Sequence, residues 1–226
     1  LDPHHKAWNQ GQQALRQALS RAEGHTKAVE LFLVQHSMVH SAALAPLGLW
    51  SFADEIWQGL SESAARCIPP GGEHSIAWMF WHIARIEDVT MNVLVAGHAQ
   101  LLLQEAWLER LKVDARHTGN AMSPQAVEAL SASIDLNALR LYRLAVGRQT
   151  RQIVMQLSPA ALKHKVEPAR LQRLLDEGAV VEAAHGLIDY WGGLNLAGLL
   201  LMPPTRHNFV HLNEALKVKK KCLSSN

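Results

Sequence analysis

The stretch 75–96 constrains this chain more than any other. Ile76, Trp78, Met79, Phe80, Trp81, Ile83, Ile86, Val89, Val93 and Leu94 fall on more than one side of a helix. A helix apolar on several sides has to be enclosed by other elements. The breaker run Cys67-Ile68-Pro69-Pro70-Gly71-Gly72 precedes it as a loop, and Gly97 closes it. This helix is therefore expected at the centre of the fold, and the remaining residues must supply what surrounds it.

They read as further helices. An earlier one is expected over 26–44, with Thr26 as N-cap, Pro46 and Gly48 ending it, and Val29, Leu33, His36, His40 and Ala43 or Leu44 along its stripe. A short helix follows over 52–60, and a weaker segment lies at 105–113. Ser123-Pro124 opens a third long helix, expected to reach residue 157 with Leu139, Tyr142, Val146, Ile153 and Leu157 on one face. Two short pieces, 160–164 and 169–177, precede a helix over 182–201 that Pro203-Pro204 interrupts. Thr205 is the expected N-cap of a last helix reaching about residue 220. No stretch alternates like a strand, and there is no internal repeat. The fold class is all-α, a four-helix bundle with additional short helices. It is expected as one domain over 25–221 behind an N-terminal extension over 1–24.

Composition narrows the function. Of 226 residues, 48% are hydrophobic and 19% charged, which is globular composition. Lys and Arg total 22 against 20 Asp and Glu, so no large basic excess marks a nucleic-acid partner. The Lys217, Lys219, Lys220, Lys221 run suits a helix C-terminus. The longest apolar run, 196–202, falls short of the roughly 18–20 residues a membrane span requires. The opening Leu1-Asp2-Pro3-His4-His5 has no basic patch before an apolar stretch, and no signal peptide is expected there. Cys67 and Cys222 are too few for a disulfide framework. They imply a reducing compartment, and a cytoplasmic location is expected.

Thirteen histidines stand out, because imidazole is the commonest metal ligand among side chains. His207 and His211 are spaced i, i+4, one turn apart on one helix face, where both rings reach one ion. His36 and His40 have the same spacing but sit on an apolar stripe, where buried, hydrogen-bonded histidines are the simpler reading. His82 shares an inward face with Trp78, Ile86 and Val89. A buried ring there needs a partner, and a second histidine pair would supply one. His4, His5 and His117 are expected at the surface. Glu87 and Asp88 read as solvent-facing or paired with Arg85, and Arg85 itself as a surface ion pair. Glu87, Asp88, Asn208 and Glu214 are near enough to serve as outer acceptors for ring N–H groups. Trp78 and Trp81 read as core.

The block Ser75-Ile76-Ala77-Trp78-Met79-Phe80-Trp81-His82-Ile83-Ala84-Arg85-Ile86-Glu87-Asp88, together with Arg206-His207 and His211-Leu212-Asn213-Glu214-Ala215, resembles the DinB-like (DinB/YfiT) superfamily of small helical proteins. The resemblance implies an up-down-down-up four-helix bundle with a three-histidine metal site. Carried over residue by residue, the ligands are His82, His207 and His211. Where many members follow the late histidine with Arg-Gly-Gln, this chain has Leu212-Asn213-Glu214. The implied cofactor is a divalent ion, with Zn, Ni, Fe and Mn all compatible with three imidazoles. The implied activity is that of a metal-dependent enzyme, either an S-transferase using a low-molecular-weight thiol such as bacillithiol, mycothiol or glutathione, or a hydrolase. A homodimer is also implied. A non-catalytic metal-binding or interaction bundle is the competing reading. His40 is the candidate fourth ligand, but the fourth position is expected to hold water or another exchangeable ligand, with His40 lining the cavity and hydrogen bonding.

Overall fold

Asp2 and Pro3 open the first helix, α1 (Pro3–Leu19). The Asp2 carboxylate accepts the His4 and His5 N–H groups at 2.8 and 3.3 Å, and proline occupies the first turn, where its missing N–H costs nothing. The computed structural model describes residues 2–45 and 49–224. After α1 come α2 (His25–Val39), α3 (Phe52–Trp57), α4 (Glu62–Arg66) and α5 (Ile76–Asp88), which runs on through a π-helical stretch, Val89–Val95. Next are α6 (Trp107–Leu111), α7 (Pro124–Ser133), α8 (Leu136–Gln156), α9 (Pro168–Asp176), α10 (Gly186–Gly193) and α11 (Leu196–Leu201). A π-helical turn, Met202–His207, then leads into α12 (Asn208–Ser224). No strand occurs among the described residues, so the fold is an all-α bundle, with α1, α2, α5, α8 and α12 as its long members.

α5 is central, as its composition requires. Ser75 caps it by accepting the Trp78 N–H at 3.0 Å, and every residue from Ile76 to Asp88 is buried. It packs against α8 on one side and α12 on another. The apolar core forms two clusters. One contains Ile76 to Ala84 of α5 with residues of α3, α7, α8 and α12. The other contains Ile86 and the π-helical stretch with Leu15, Phe32, Ile153 and Trp191. Along α5 they meet at residues 85–88, and there the buried charges lie.

Several boundaries differ from the sequence reading. Thr26 is not a cap: α2 starts at His25 behind Gly24. Its expected terminators Pro46 and Gly48 lie outside the described residues. The helix expected over 123–157 is two, because Asp135 recaptures the N–H groups of Asn137 and Ala138 and starts α8 afresh. The helix expected over 182–201 likewise restarts at Asn195, whose side chain accepts the Gly198 N–H. Pro203-Pro204 does not end a helix. The prolines lack the N–H groups that would reach back to Leu199 and Leu200, and the chain widens into a π turn instead. The Thr205 hydroxyl donates to the Leu200 and Leu201 carbonyls (3.1 and 2.9 Å), while Gln12 of α1 donates to the Leu201 carbonyl at 2.9 Å. Thr205 therefore repairs the turn rather than capping α12.

Candidate metal centre

His82 projects from the inward face of α5, His207 ends the π turn and His211 follows one turn into α12. The structure brings all three together, each offering a ring nitrogen, with those atoms within 4.8 Å of one another. His82 Nε2 and His207 Nε2 are 3.2 Å apart. Two nitrogens about 2.0–2.1 Å from one tetrahedral ion are about 3.3 Å apart, so this spacing fits a shared cation. The outer edges of the rings decide their tautomers. His82 Nδ1–H donates to the Thr118 carbonyl at 2.6 Å, and His211 Nδ1–H donates to Glu214 Oε2 at 2.7 Å. Both rings thus turn an unprotonated Nε2 inward, the arrangement in which a metal-binding imidazole is held by an outer acceptor. His207 Nδ1 is buried without a protein partner.

Burial holds the His82 and His207 rings neutral. It pushes His82 down to about 3, with His211 adding to the effect. It holds His207 well below the ordinary histidine range, with His82 and His211 nearby. Trp78 stacks on His82 at 4.8 Å and His74 stacks on Trp78 at 3.7 Å, walling one side. The His211 side chain is 20% exposed, so the group reaches solvent on the α12 side.

A second group of the same residue types lies on another face of α5. Glu87 accepts His36 Nε2–H through Oε1 and His40 Nε2–H through Oε2, each at 2.8 Å, and Asn208 Nδ2 at 2.8 Å. All four residues are buried. Burial alone would raise the Glu87 carboxyl, but the His40 and His36 imidazoles hold it well below the usual range. Burial also pushes His40 down to about 3. Its chemistry is unlike that of the triad. Here both histidines spend their Nε2 protons on the carboxylate, whereas His82 and His211 direct their Nδ1 protons to outer acceptors and leave Nε2 free. Three donors on one carboxylate form a closed hydrogen-bonded set instead.

This corrects one expectation: Glu87 faces the core, not solvent. His40 is a hydrogen-bonding group, engaged by Glu87 outside the triad. Arg85 and Asp88 do pair, at 2.9 Å, but fully buried rather than at the surface. Asp88 also accepts Tyr142 Oη at 2.5 Å, Asn92 Nδ2 at 2.8 Å and the Leu101 and Leu102 N–H groups. Trp78 and Trp81 are buried as expected. His4 is exposed, whereas His5 and His117 are half-buried, His5 against Phe52 and Phe209 and His117 edge-on to Trp81. Cys67 and Cys222, 155 residues apart in sequence, form a disulfide. The end of α12 packs beside the loop before α5, so the pair gives no support for a reducing compartment. Lys219 donates to the Glu55 and Gln58 carbonyls at the end of α3. Among the described residues no helix is long and apolar enough to cross a membrane.

The DinB superfamily model matches residues 49–186, more than half of the chain. The protein belongs to the DinB superfamily. The matched span includes His82 and stops short of His207 and His211. No curated protein matches the sequence.

Proposed function

We propose that His82, His207 and His211 hold one divalent cation, and that the protein is a metal-dependent enzyme of the thiol-dependent S-transferase or hydrolase type. The observation that carries this reading is the pair of outer bonds, His82 to Thr118 and His211 to Glu214, which leave unprotonated nitrogens turned toward each other. A Zn, Ni, Fe or Mn ion held there would supply a Lewis acid that makes a bound water or thiol more acidic. The chain's own groups prepare the site. The Thr118 carbonyl fixes the His82 ring, Glu214 orients His211, and burial keeps His82 and His207 free of competing protons. Because His40 is engaged by Glu87, the triad supplies three ligands and leaves a position for an exchangeable one, as a catalytic site requires. The partly exposed side of His211 gives a small molecule access to it.

Spectroscopy of the cobalt-substituted protein with and without glutathione, bacillithiol and mycothiol tests this. A thiol-dependent charge-transfer band supports S-transfer, and turnover of an ester or amide panel without thiol supports hydrolysis. A cobalt spectrum that responds to no small ligand, with no turnover in either panel, contradicts the enzymatic reading.

A further inference from the structure

A hollow of about 320 Å³ opens beside α3, α5 and α8, away from the triad. Its walls include His40, Trp57, Phe80, Asn137, Arg140 and Arg143. Phe80 lies two positions before His82, roughly 200° around the helix, so hollow and triad occupy different faces of α5. The volume is in the range of small-molecule sites.

Arg143 is the informative residue. It is only 4% exposed, and its Nη2 donates to the Val39 carbonyl. Its guanidinium sits 5.1 Å over the Phe80 ring. Its Nη1 is buried and has no acceptor in the protein. A buried charged donor without a partner is costly. The neighbouring acids do not serve it: the Glu87 carboxylate holds three other donors, and Asp54 Oδ2 accepts the Ala42 N–H at 2.8 Å and the Ser41 hydroxyl at 3.4 Å. At the rim the exposed Arg140 guanidinium lies 5.5 Å over the half-buried Trp57 ring. The walls of the hollow thus bring together a buried guanidinium with one donor unpaired in the protein, a second, exposed guanidinium and the half-buried Trp57 ring, with Phe80 buried beneath Arg143. A carboxylate suits the two cations, and a flat apolar body fits against the Trp57 ring.

We propose that this cavity is a second small-molecule site, separate from the metal centre, that takes a monocarboxylate with an aromatic or similarly flat apolar body. The test is calorimetric titration of the full chain with benzoate, and with benzamide as the uncharged molecule of the same shape. A carboxylate could also bind a cation at the triad, so the titration is repeated with His207→Gln. The expected result is saturable one-to-one binding of benzoate, unchanged in His207→Gln, with benzamide at least about tenfold weaker. Arg140→Ala and Trp57→Ala, both at the rim, should each weaken benzoate by at least about fivefold. Arg143→Gln should abolish binding, and the rim variants carry the test if that protein does not fold. Absence of saturation up to about 10 mM benzoate, equal affinity for benzamide, or binding lost in His207→Gln but kept in both rim variants would overturn the proposal. None of these results depends on whether the triad holds a metal.

Discussion

His82 and His40 are buried imidazoles, each pushed down to about 3 by desolvation, and what their other atoms touch separates their roles. His82 gives its Nδ1 proton to a backbone carbonyl and keeps Nε2 bare, whereas His40 gives its Nε2 proton to a carboxylate. Both contribute the same pH dependence. In the unfolded chain such histidines take up protons near pH 6.5, and in the folded chain near 3. Between those values the unfolded state binds more protons, so stability falls as pH is lowered. Glu87, held below its usual range, acts in the same direction in acid. Thermal melts of chelator-treated protein should show a Tm that drops steadily from pH 7 to pH 4, and a flat profile would count against neutral buried rings. Glu87→Ala strands two imidazoles and Asn208 in the core and should cost about 3–5 kcal/mol in urea unfolding, with Glu87→Gln costing less. The triad was legible in the sequence because an i, i+4 pair and an inward histidine are local patterns. In the Glu87 set the buried, hydrogen-bonded His36 and His40 were legible from their apolar stripe, but Glu87 was placed toward solvent, although the contrary signal was present: a helix apolar on several sides has no solvent face on which to place Arg85, Glu87 and Asp88. The Thr118 acceptor is a backbone carbonyl, which any residue provides, so no side chain could announce it.

At the scale of elements, the long helices after residue 24 were legible from apolar stripes and the turn residues Gly97 and Ser123-Pro124, whereas α1 was not. The restarts at Asp135 and Asn195 were not. Asp135 has no glycine or proline beside it and depends on one side chain recapturing N–H groups against a continuous apolar pattern, whereas the restart at Asn195 follows Gly192-Gly193, a break the apolar pattern ran across. The Pro203-Pro204 turn misled in the other direction. Two missing donors ordinarily stop a helix, but Thr205 bonds the freed Leu200 carbonyl, Gln12 braces the turn through the Leu201 carbonyl, and the axis continues to His207 and His211. Thr205→Val keeps the shape and removes the hydroxyl. It should cost about 1–3 kcal/mol and, by loosening the turn that carries His207, weaken metal retention, while Thr205→Ser stays near wild type. If Thr205→Val matches wild type in both urea unfolding and metal content, the repair described here does not hold the turn.

Across the whole molecule, the segment 1–24 is part of the bundle. The Trp8 ring stacks on Phe209 at 3.8 Å, the Trp8 carbonyl accepts Gln35 Nε2 at 2.8 Å, and Gln12 reaches the π turn. Trp8→Ala should therefore cost about 3–5 kcal/mol, as for other large core aromatics. A cost under about 1 kcal/mol, typical of surface positions, would mean that α1 is an appendage. The same packing joins the parts of the metal centre: α5 supplies His82, the π turn and α12 supply His207 and His211, and α1 braces the turn between them. The measurement that tests this account most directly is elemental analysis of protein purified without nickel resin, for wild type and for His82→Ala, His207→Ala and His211→Ala. The account predicts about one divalent ion per chain in the wild type, most of it lost in each variant and none lost on replacing His4, His5 or His117. Wild-type metal content in all three triad variants, or a metal-free wild type that takes up no Zn, Ni, Fe or Mn on dialysis, would contradict it.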